Sequence, residues 1–315
     1  MDRIADIRCG RTSLLLREPY VTAHATLKAF DVVWVWVRLE SGEMGIGEAV
    51  ALSPGYGRET PDDVWEGVSV LVAHAGRSQS WDWPDYTGVT PDEAAHPFPF
   101  ARSALLCACQ MAHHARRGWD EQEWPLVAPS RRRKASGACG FDNGPEWSGT
   151  VDYNESCTVP PHFGKWGPIA GRWVVEQPYR RTAWRAHARL AQRLDVRLDE
   201  SIWTERDIRD AALIDCGVKL KACKFGGIDE LVSALRYDNV ESIGNGVATD
   251  ITAVSEMLAV ARSGAELAPL ECNGWTRTVA GPLLFDVGRG ASIRLPPSSE
   301  VQARLVEAVA VLEAM

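Results

Sequence analysis

The chain has 315 residues, a formal net charge of −8 at pH 7 and a sequence pI near 5.5. This acidic balance argues against a nucleic-acid-binding surface, which needs an excess of lysine and arginine on one face. The composition is 45% hydrophobic, and no apolar run approaches the roughly 18 residues of a membrane span, so no membrane association is expected. The first ten residues lack the pattern of an export signal, and a cytoplasmic location is therefore expected.

The chain length indicates the number of domains, and the cysteine pattern indicates the state of the thiols. Single cores rarely grow past roughly 250 to 300 residues, so one large and one smaller domain are expected. The eight cysteines are scattered and form no CxxC pair, which indicates reduced, buried thiols rather than a zinc site or a redox motif.

The first part of the chain is typical of strands followed by helices. Residues 31–40 are β-branched and aromatic, and the turn SGEMG leads into a second strand, so a hairpin is predicted. The segment TPDD predicts the start of a helix that runs from about residue 61 to 75. A second helix is predicted over 99–117, ending at Gly118. This order indicates a small α+β domain.

From about residue 148 onward, short apolar strands alternate with helices. The predicted strand ends lie near residues 152, 176, 199, 221, 245 and 271. Their spacing of 22 to 26 residues suits a repeated unit of strand, loop and three-turn helix. Six consecutive units of this size favour a parallel (β/α) barrel over an open sheet.

Helix signals lie between these strands. Thr204 with Asp207 forms a capping pair at the start of one helix. Gly217 and Gly264 are each predicted to be a left-handed C-cap at the end of a helix.

Charged residues stand at four successive strand ends, where barrel enzymes gather their chemistry: Asp152, Glu176, Asp199 and Lys221. Three neighbouring carboxylates repel one another, so they need protonation or a cation to coexist. All-oxygen ligation suits Mg²⁺, with Mn²⁺ as a substitute, and the absence of His and Cys at these positions disfavours zinc. A divalent metal site is therefore predicted.

A lysine beside a metal ion loses its proton more readily, which makes Lys221 a candidate general base for removing a proton α to a carboxylate. The chain has only six lysines against 28 arginines. Because lysine can lose its proton and arginine cannot, a lysine at this position indicates a role that needs a neutral amine. Lys219 and Lys224 are predicted to be outward-facing or helix-start residues.

The segments VDYNES, VVEQP, LDES and KLKACKFGG resemble the enolase superfamily and, within it, the muconate-lactonizing subgroup. The resemblance implies a modified TIM barrel with an N-terminal α+β capping domain. It implies metal ligation by Asp152, Glu176 and Asp199, and catalysis by Lys221. Asn154 matches the Asn that follows the family's first ligand, and GIGEAVALSPGYGRET resembles the capping segment that closes over substrate. No histidine lies beyond His187, which disfavours the mandelate-racemase type of base.

Domain boundaries follow from this resemblance. The capping domain is predicted at 1–120, with residues from about 286 to 315 as a segment that packs back on it, and the barrel at 121–285.

The chain departs from the family at the second barrel strand, where members present a Lys-x-Lys pair. Arg132 and Lys134 are the residues in this register, which would make Lys134 the second acid/base and Arg132 a partner for the substrate carboxylate. The 17 residues between Lys134 and Asp152 do not form a helical pattern, so the second helix is predicted to be lost. A solvated charge is the alternative role for Lys134.

The reaction type expected first is syn-dehydration, as in o-succinylbenzoate synthases, because one lysine and a cation suffice for it. Racemisation, as in N-acylamino-acid racemases, needs a lysine on each face. Muconate cycloisomerisation and a non-catalytic role stay open, and ECNGW lacks the Asp-x-Asp of dipeptide epimerases. The substrate is expected to be a small carboxylate, its identity is left open, and a homo-oligomer is expected.

Further residues are candidate substrate contacts on the last strands, in the capping segment or beside the third ligand: Glu48, Tyr56, Glu200, Asn245, Asp250, Glu271 and Asn273. For the Asn-Gly pairs, simple turns are an equally good interpretation.

Overall fold

The computed structural model describes residues 3–21, 26–52, 57, 59–76, 99–126, 132–134, 149–158, 173–244, 249–267, 269–285 and 292–315. The chain divides into two compact units. The first comprises residues 1–126, 221–236 and 243–315, and the second comprises residues 127–220 and 237–242. This division differs from the predicted one between capping and barrel domains, which stays a prediction.

The strands are, in chain order, β1 (Ile4–Val21), β2 (Thr26–Leu39), β3 (Met44–Val50), β4 (Gln122–Pro125), β5 (Arg132–Lys134), β6 (Gly149–Asp152), β7 (Trp173–Glu176), β8 (Asp195–Leu198), β9 (Gly217–Leu220), β10 (Val240–Ile243) and β11 (Ser292–Leu295). The helices are α1 (Pro61–Ala75), α2 (Pro99–Arg117), α3 (Trp184–Ala191), α4 (Glu205–Ala212), α5 (Ala222–Phe225), α6 (Ile228–Ala234), α7 (Asp250–Ser263) and α8 (Ser298–Ala314), with a 3-10 helix at Gly274–Arg277.

The first unit contains an antiparallel sheet in the order β1-β2-β3. The predicted hairpin is confirmed as β2 and β3, whose pairing runs from Val32 opposite Val50 to Arg38 opposite Met44. Strand β1, which the sequence analysis did not identify, pairs with the other edge of β2. Strand β2 is central and its second half is almost entirely buried, which explains its continuous run of valine and tryptophan.

Helices α1 and α2 pack on this sheet, and both are confirmed at the predicted positions. Thr60 caps α1 in a reciprocal capping box with Asp63. Gly118 follows α2 with a φ of +70°, the left-handed conformation that favours glycine. The C-terminal helix α8 contacts β1 and β3, and Thr12 donates a 2.8 Å hydrogen bond to the carbonyl of Leu312.

Helix α2 lies very close to β3. A Cβ added at Gly47 would overlap the carbonyl oxygen of Ala104, and one added at Gly45 would overlap that of Ala108. The two glycines of GIGEAV therefore allow the helix backbone to contact the strand backbone directly.

The second unit is built on a parallel sheet. In the described part of the chain its order is β10-β9-β8-β7-β6-β5, and β5 to β9 pair in parallel. Five of the six predicted strand ends are confirmed, since β6 to β10 end within two residues of the expected positions. The sixth is wrong: near residue 271 only an isolated bridge joins Leu270 to Leu126. Closure of the sheet into a barrel stays a prediction.

The helix signals between the strands are confirmed with one exception. Thr204 and Asp207 form a capping box on α4, and Gly264 ends α7 with a φ of +67°. The C-cap prediction for Gly217 is wrong, because this residue begins β9 and the left-handed conformation belongs to Asp215 at a φ of +55°. Gly217 is small for another reason: an added Cβ would overlap the carboxylate of Glu241.

Seven cysteines lie in the described segments, and six of them are buried, as predicted, while Cys9 is partly exposed. None of the helices in these segments has both the length and the apolarity needed to cross a membrane.

Replacement of Gly47 by alanine tests the contact between α2 and β3. Because the added Cβ has no room against the helix backbone, we expect Gly47→Ala to lower the free energy of unfolding by about 1–3 kcal/mol, measured by urea denaturation. Gly76→Ala is the matched control, since its φ of −65° is helical and the nearest atom to an added Cβ is 3.5 Å away. Equal unfolding midpoints for the two variants would contradict the packing described here.

Candidate active site

Three acidic side chains stand at one edge of the parallel sheet. Asp152 and Glu176 are the last residues of β6 and β7 and lie opposite each other in the register, while Asp199 directly follows β8. Their side chains are 4%, 0% and 2% exposed, respectively. Buried carboxylates need compensating charge or hydrogen bonds, so this edge requires cations or hydrogen-bond donors.

The chain turns sharply after the first two of these acids. Asn154, Glu155 and Gln177 have φ values of +45°, +63° and +37°. Non-glycine residues in this region are uncommon and cluster at functional sites. The turns are held by local contacts: the Asn154 amide donates to Asp152 Oδ1 at 3.0 Å, and Glu155 Oε2 accepts from Arg181 Nη2 at 2.8 Å.

Gln177, which the sequence analysis missed, connects two of the strand ends. Its buried carboxamide oxygen accepts hydrogen bonds from the backbone amides of Asp199, at 2.9 Å, and Ser201, at 3.1 Å. Its Nε2 donates to the hydroxyl of Ser201 at 2.8 Å. The side chain therefore fixes the backbone beside Asp199 relative to the end of β7. Its position directly after the second acid is the only sequence signal for this role.

Glu176 contacts two cations within the second unit. Lys219 Nζ lies 3.2 Å from its Oε1, and Arg197 Nη1 lies 3.8 Å from its Oε2. The prediction that Lys219 is an outward-facing or helix-start residue is wrong, since it lies within β9 and is 1% exposed. Lys224 is on the short helix α5 and is also buried.

The acids fit Mg²⁺ in donor type and in sheet position, because carboxylate oxygens are the ligands that a hard divalent ion prefers. Within the described residues, however, no group of three or more His, Cys, Asp or Glu side chains is arranged to hold a metal ion. The fit therefore rests on the chemistry of the donors and on three buried acids at adjacent strand ends, and not on a preformed cage.

Lys221 follows β9 directly and is buried. Both backbone polar groups of the next residue, Ala222, are hydrogen-bonded. Its amide donates to Glu256 Oε1 at 3.2 Å, and its carbonyl accepts from Ser103 Oγ at 2.9 Å. Glu256 and Ser103 lie on α7 and α2 and are themselves buried. Helices of the first unit thus fix the backbone at the candidate base.

The Gly-Gly pair five residues after Lys221 has a steric cause. A Cβ at Gly227 would overlap the carboxamide of Gln110, and Gly226 has a φ of +110° with Arg102 Nη1 2.8 Å from an added Cβ. The glycines let α2 approach the turn between α5 and α6.

Arg132 and Lys134 are in β5, which pairs in parallel with β6 and has Lys134 opposite Asp152 in the register. The segment in which the second helix was predicted to be lost, residues 135–148, lies outside the described residues, as do Tyr56 and Asn245.

The other predicted contacts are mostly buried. Glu200 and Glu271 are enclosed, and Asn273 immediately precedes the 3-10 helix. Their roles toward a substrate stay predictions.

Glu48 and Asp250 are used for structural hydrogen bonds within the first unit. Glu48 accepts from the amides of Thr249 and Thr252, at 3.0 and 2.9 Å, at the N-terminus of α7. Asp250 accepts from the backbone amides of residues 283–285. Burial raises the pKa of Glu48 to about 7 and that of Asp250 to about 6. These contacts do not favour a substrate-binding role for either residue.

The raised pKa of Glu48 predicts a pH-dependent stability. Because the folded-state pKa of about 7 exceeds the ordinary value of 4.5, the stabilising contribution is complete below about pH 4.5 and is lost as the pH rises through about 7. Glu59 and Asp250 act in the same direction. Between these pH values the unfolding free energy of the wild type should fall. In Glu48→Gln, which cannot ionise at this position, we expect this fall to be smaller by about 2–3 kcal/mol. Exposed Glu313→Gln is the control, and identical pH profiles for wild type and Glu48→Gln would be the contrary result.

Neither protein-family models nor curated proteins give a match to the sequence. Solved structures do match. The N-succinyl Arg/Lys racemase from Bacillus cereus ATCC 14579 aligns with a TM-score of 0.73 and 17% identity over 98% of each chain. A member of the enolase superfamily from Enterococcus faecalis V583 aligns with a TM-score of 0.72 and 15% identity over 98% of this chain and 97% of that one.

A dipeptide epimerase from the same organism, complexed with Mg and the dipeptide L-Leu-L-Tyr, aligns with a TM-score of 0.71 and 15% identity over 95% of this chain and 99% of that one. At these identities the likeness is one of fold, and it covers nearly the whole of both chains. The chain therefore shares its fold with these solved structures.

Proposed function

We propose that the chain is an Mg²⁺-dependent enzyme of the enolase superfamily that removes the proton α to a carboxylate and stabilises the resulting enolate. The observation that carries this proposal is the set of three buried acids at the ends of three neighbouring parallel strands, followed by a buried lysine directly after the next strand. The proposal includes closure of the parallel sheet into a modified TIM barrel beneath an N-terminal capping domain.

Asp152, Glu176 and Asp199 are the proposed metal ligands, with Mn²⁺ as a substitute ion. A bound divalent ion supplies positive charge that stabilises the enolate oxygens. The Mg complex of the dipeptide epimerase supports this choice of ion, because the two chains share a fold. Water and substrate oxygens would provide the remaining ligands that Mg²⁺ usually requires.

Lys221 is the proposed general base. As a neutral amine it accepts the α-proton, while the electron pair of the C–H bond moves into the carboxylate to form the enolate. Ser103 and Glu256 contribute by fixing the peptide of Ala222, which limits the movement of the lysine backbone.

Syn-dehydration is the first candidate for the overall reaction. The Lys221 ammonium returns its proton to a β-hydroxyl leaving group on the same face, the enolate electrons form a carbon–carbon double bond, and water leaves. This sequence requires only one lysine.

Racemisation of an N-acylated amino acid is the second candidate. It needs a proton donor on the opposite face, for which Lys134 is proposed, with Arg132 as a partner for the substrate carboxylate. Strand β5 favours it, since its pairing puts the backbone of Lys134 level with Asp152. Racemase and epimerase activities are also those named for two of the structural relatives. Muconate-type cycloisomerisation and a non-catalytic role remain alternatives.

Exchange of the α-proton with D₂O tests the proposal whichever product the enzyme forms. The purified chain, with Mg²⁺, is incubated with N-acylated amino acids, dipeptides, β-hydroxy acids and cis,cis-muconate, and deuterium incorporation or product is followed by NMR. We expect exchange with at least one acid, its loss in EDTA, and a rate about 10²–10⁴-fold lower in Lys221→Met.

Exposed Lys28→Met is the matched control, because it makes the same replacement away from the sheet edge, and we expect it to retain the wild-type rate. Exchange that persists in Lys221→Met or in EDTA would exclude the proposed base or the proposed metal. No reaction with any acid would favour the non-catalytic alternative.

A further inference from the structure

Lys219 is a buried cation that the proposed chemistry does not use. It lies in the middle of β9, two residues before Lys221, and is almost completely enclosed. Its Nζ is 3.2 Å from Oε1 of Glu176, whose side chain has no exposure to solvent. This contact lies within the second unit and joins the central one of the three proposed metal ligands to a fixed positive charge.

A buried ammonium is retained in a fold only where carboxylates or other acceptors compensate for its lost hydration. The Lys219–Glu176 pair is therefore a property of the folded sheet itself. It offsets the charge of one of the three acids in the absence of a metal ion.

Arg197 contacts the other oxygen of Glu176, but this contact is longer and the arginine has a second carboxylate partner. The distance is longer, at 3.8 Å, and the guanidinium also bonds Glu241 at 3.1 Å through its Nε. Glu241 is exposed, so Arg197 has a second carboxylate in a solvated environment. Lys219 therefore makes the shorter contact with Glu176, and it is the more deeply buried of the two cations.

A divalent ion held by Glu176 would share one carboxylate with the ammonium of Lys219. Two like charges that share one buried carboxylate repel each other strongly, because the interior screens them poorly. Metal binding is therefore expected to weaken the ion pair.

We propose that Lys219 is a built-in counter-ion that competes with the divalent metal for Glu176, so that it stabilises the metal-free fold and weakens metal binding. The inference rests on the proposed function, in which Glu176 is a metal ligand. It implies that the chain folds without metal and binds Mg²⁺ only at elevated concentration.

Lys219→Met removes the charge and keeps most of the side-chain length. We expect the Mg²⁺ dissociation constant of this variant, measured by isothermal titration calorimetry on the full chain, to be at least about tenfold lower than that of the wild type. In EDTA its melting temperature should be lower than that of the wild type. Addition of Mg²⁺ should raise the melting temperature of the variant more than that of the wild type.

Three further variants refine the test. Lys219→Arg keeps the charge and should keep the weak affinity of the wild type. Arg197→Met should change affinity less than Lys219→Met, because the arginine is shared with Glu241. Exposed Lys28→Met should change neither quantity. If Lys219→Met folds in Mg²⁺ but not in EDTA, this result would support the proposal that Lys219 stabilises the metal-free fold.

The outcomes separate this inference from the proposed function. Metal-dependent exchange in the wild type together with equal or weaker Mg²⁺ binding by Lys219→Met would overturn the competition and leave the function intact. Mg²⁺ binding by Lys219→Met alone, without metal-dependent exchange in the wild type, would support the competition and overturn the function. Absence of Mg²⁺ binding from both proteins would overturn both.

Discussion

The burial of three carboxylates at the ends of adjacent parallel strands is the constraint on which the rest of the second unit depends. Asp152, Glu176 and Asp199 are almost fully buried, and buried carboxylates need positive charge or hydrogen-bond donors nearby. The chain provides part of that charge through Lys219 and Arg197 at Glu176. A divalent ion is the proposed source of the remainder. Structure and proposed chemistry thus share one electrostatic requirement, which a hydrophobic core at the same positions would not impose.

The first unit shows how the helices around the candidate base are secured. Three buried acids accept hydrogen bonds from the backbone of this unit. Glu48 contacts the N-terminus of α7, and Glu256 contacts the amide of Ala222. Asp250 contacts the loop at 283–285. Each forms hydrogen bonds that offset part of the cost of burial. Small residues complete the arrangement, because Gly47 and Gly227 bring α2 against a strand and a turn. Glu48 and Asp250, which were predicted as substrate contacts, thus also form hydrogen bonds that hold the first unit together, and their role toward a substrate stays a prediction.

Local signals predicted much of the fold. Pro61 and Thr60 marked the start of α1, and the recurring interval of about two dozen residues located the ends of β6 to β10. The errors came where tertiary contacts outweigh local preference. Gly217 is small because of Glu241, which is distant in sequence, and the segment near 271 has a strand-like pattern without forming a strand. For the site, strand spacing predicted the three acids at one edge. Lys219 was predicted to face outward or to begin a helix, because local pattern could not reveal that it is enclosed beside Glu176.

The central claim is that the three acids share one divalent ion, and a crystal grown with Mn²⁺ tests it most directly, because the anomalous signal locates the ion independently of the protein atoms. The account predicts one strong peak with oxygen atoms of Asp152, Glu176 and Asp199 at roughly 2.0–2.2 Å, typical of a small divalent ion. Full occupancy of the Glu176–Lys219 ion pair, with no peak among these carboxylates at a high concentration of Mn²⁺, would contradict it.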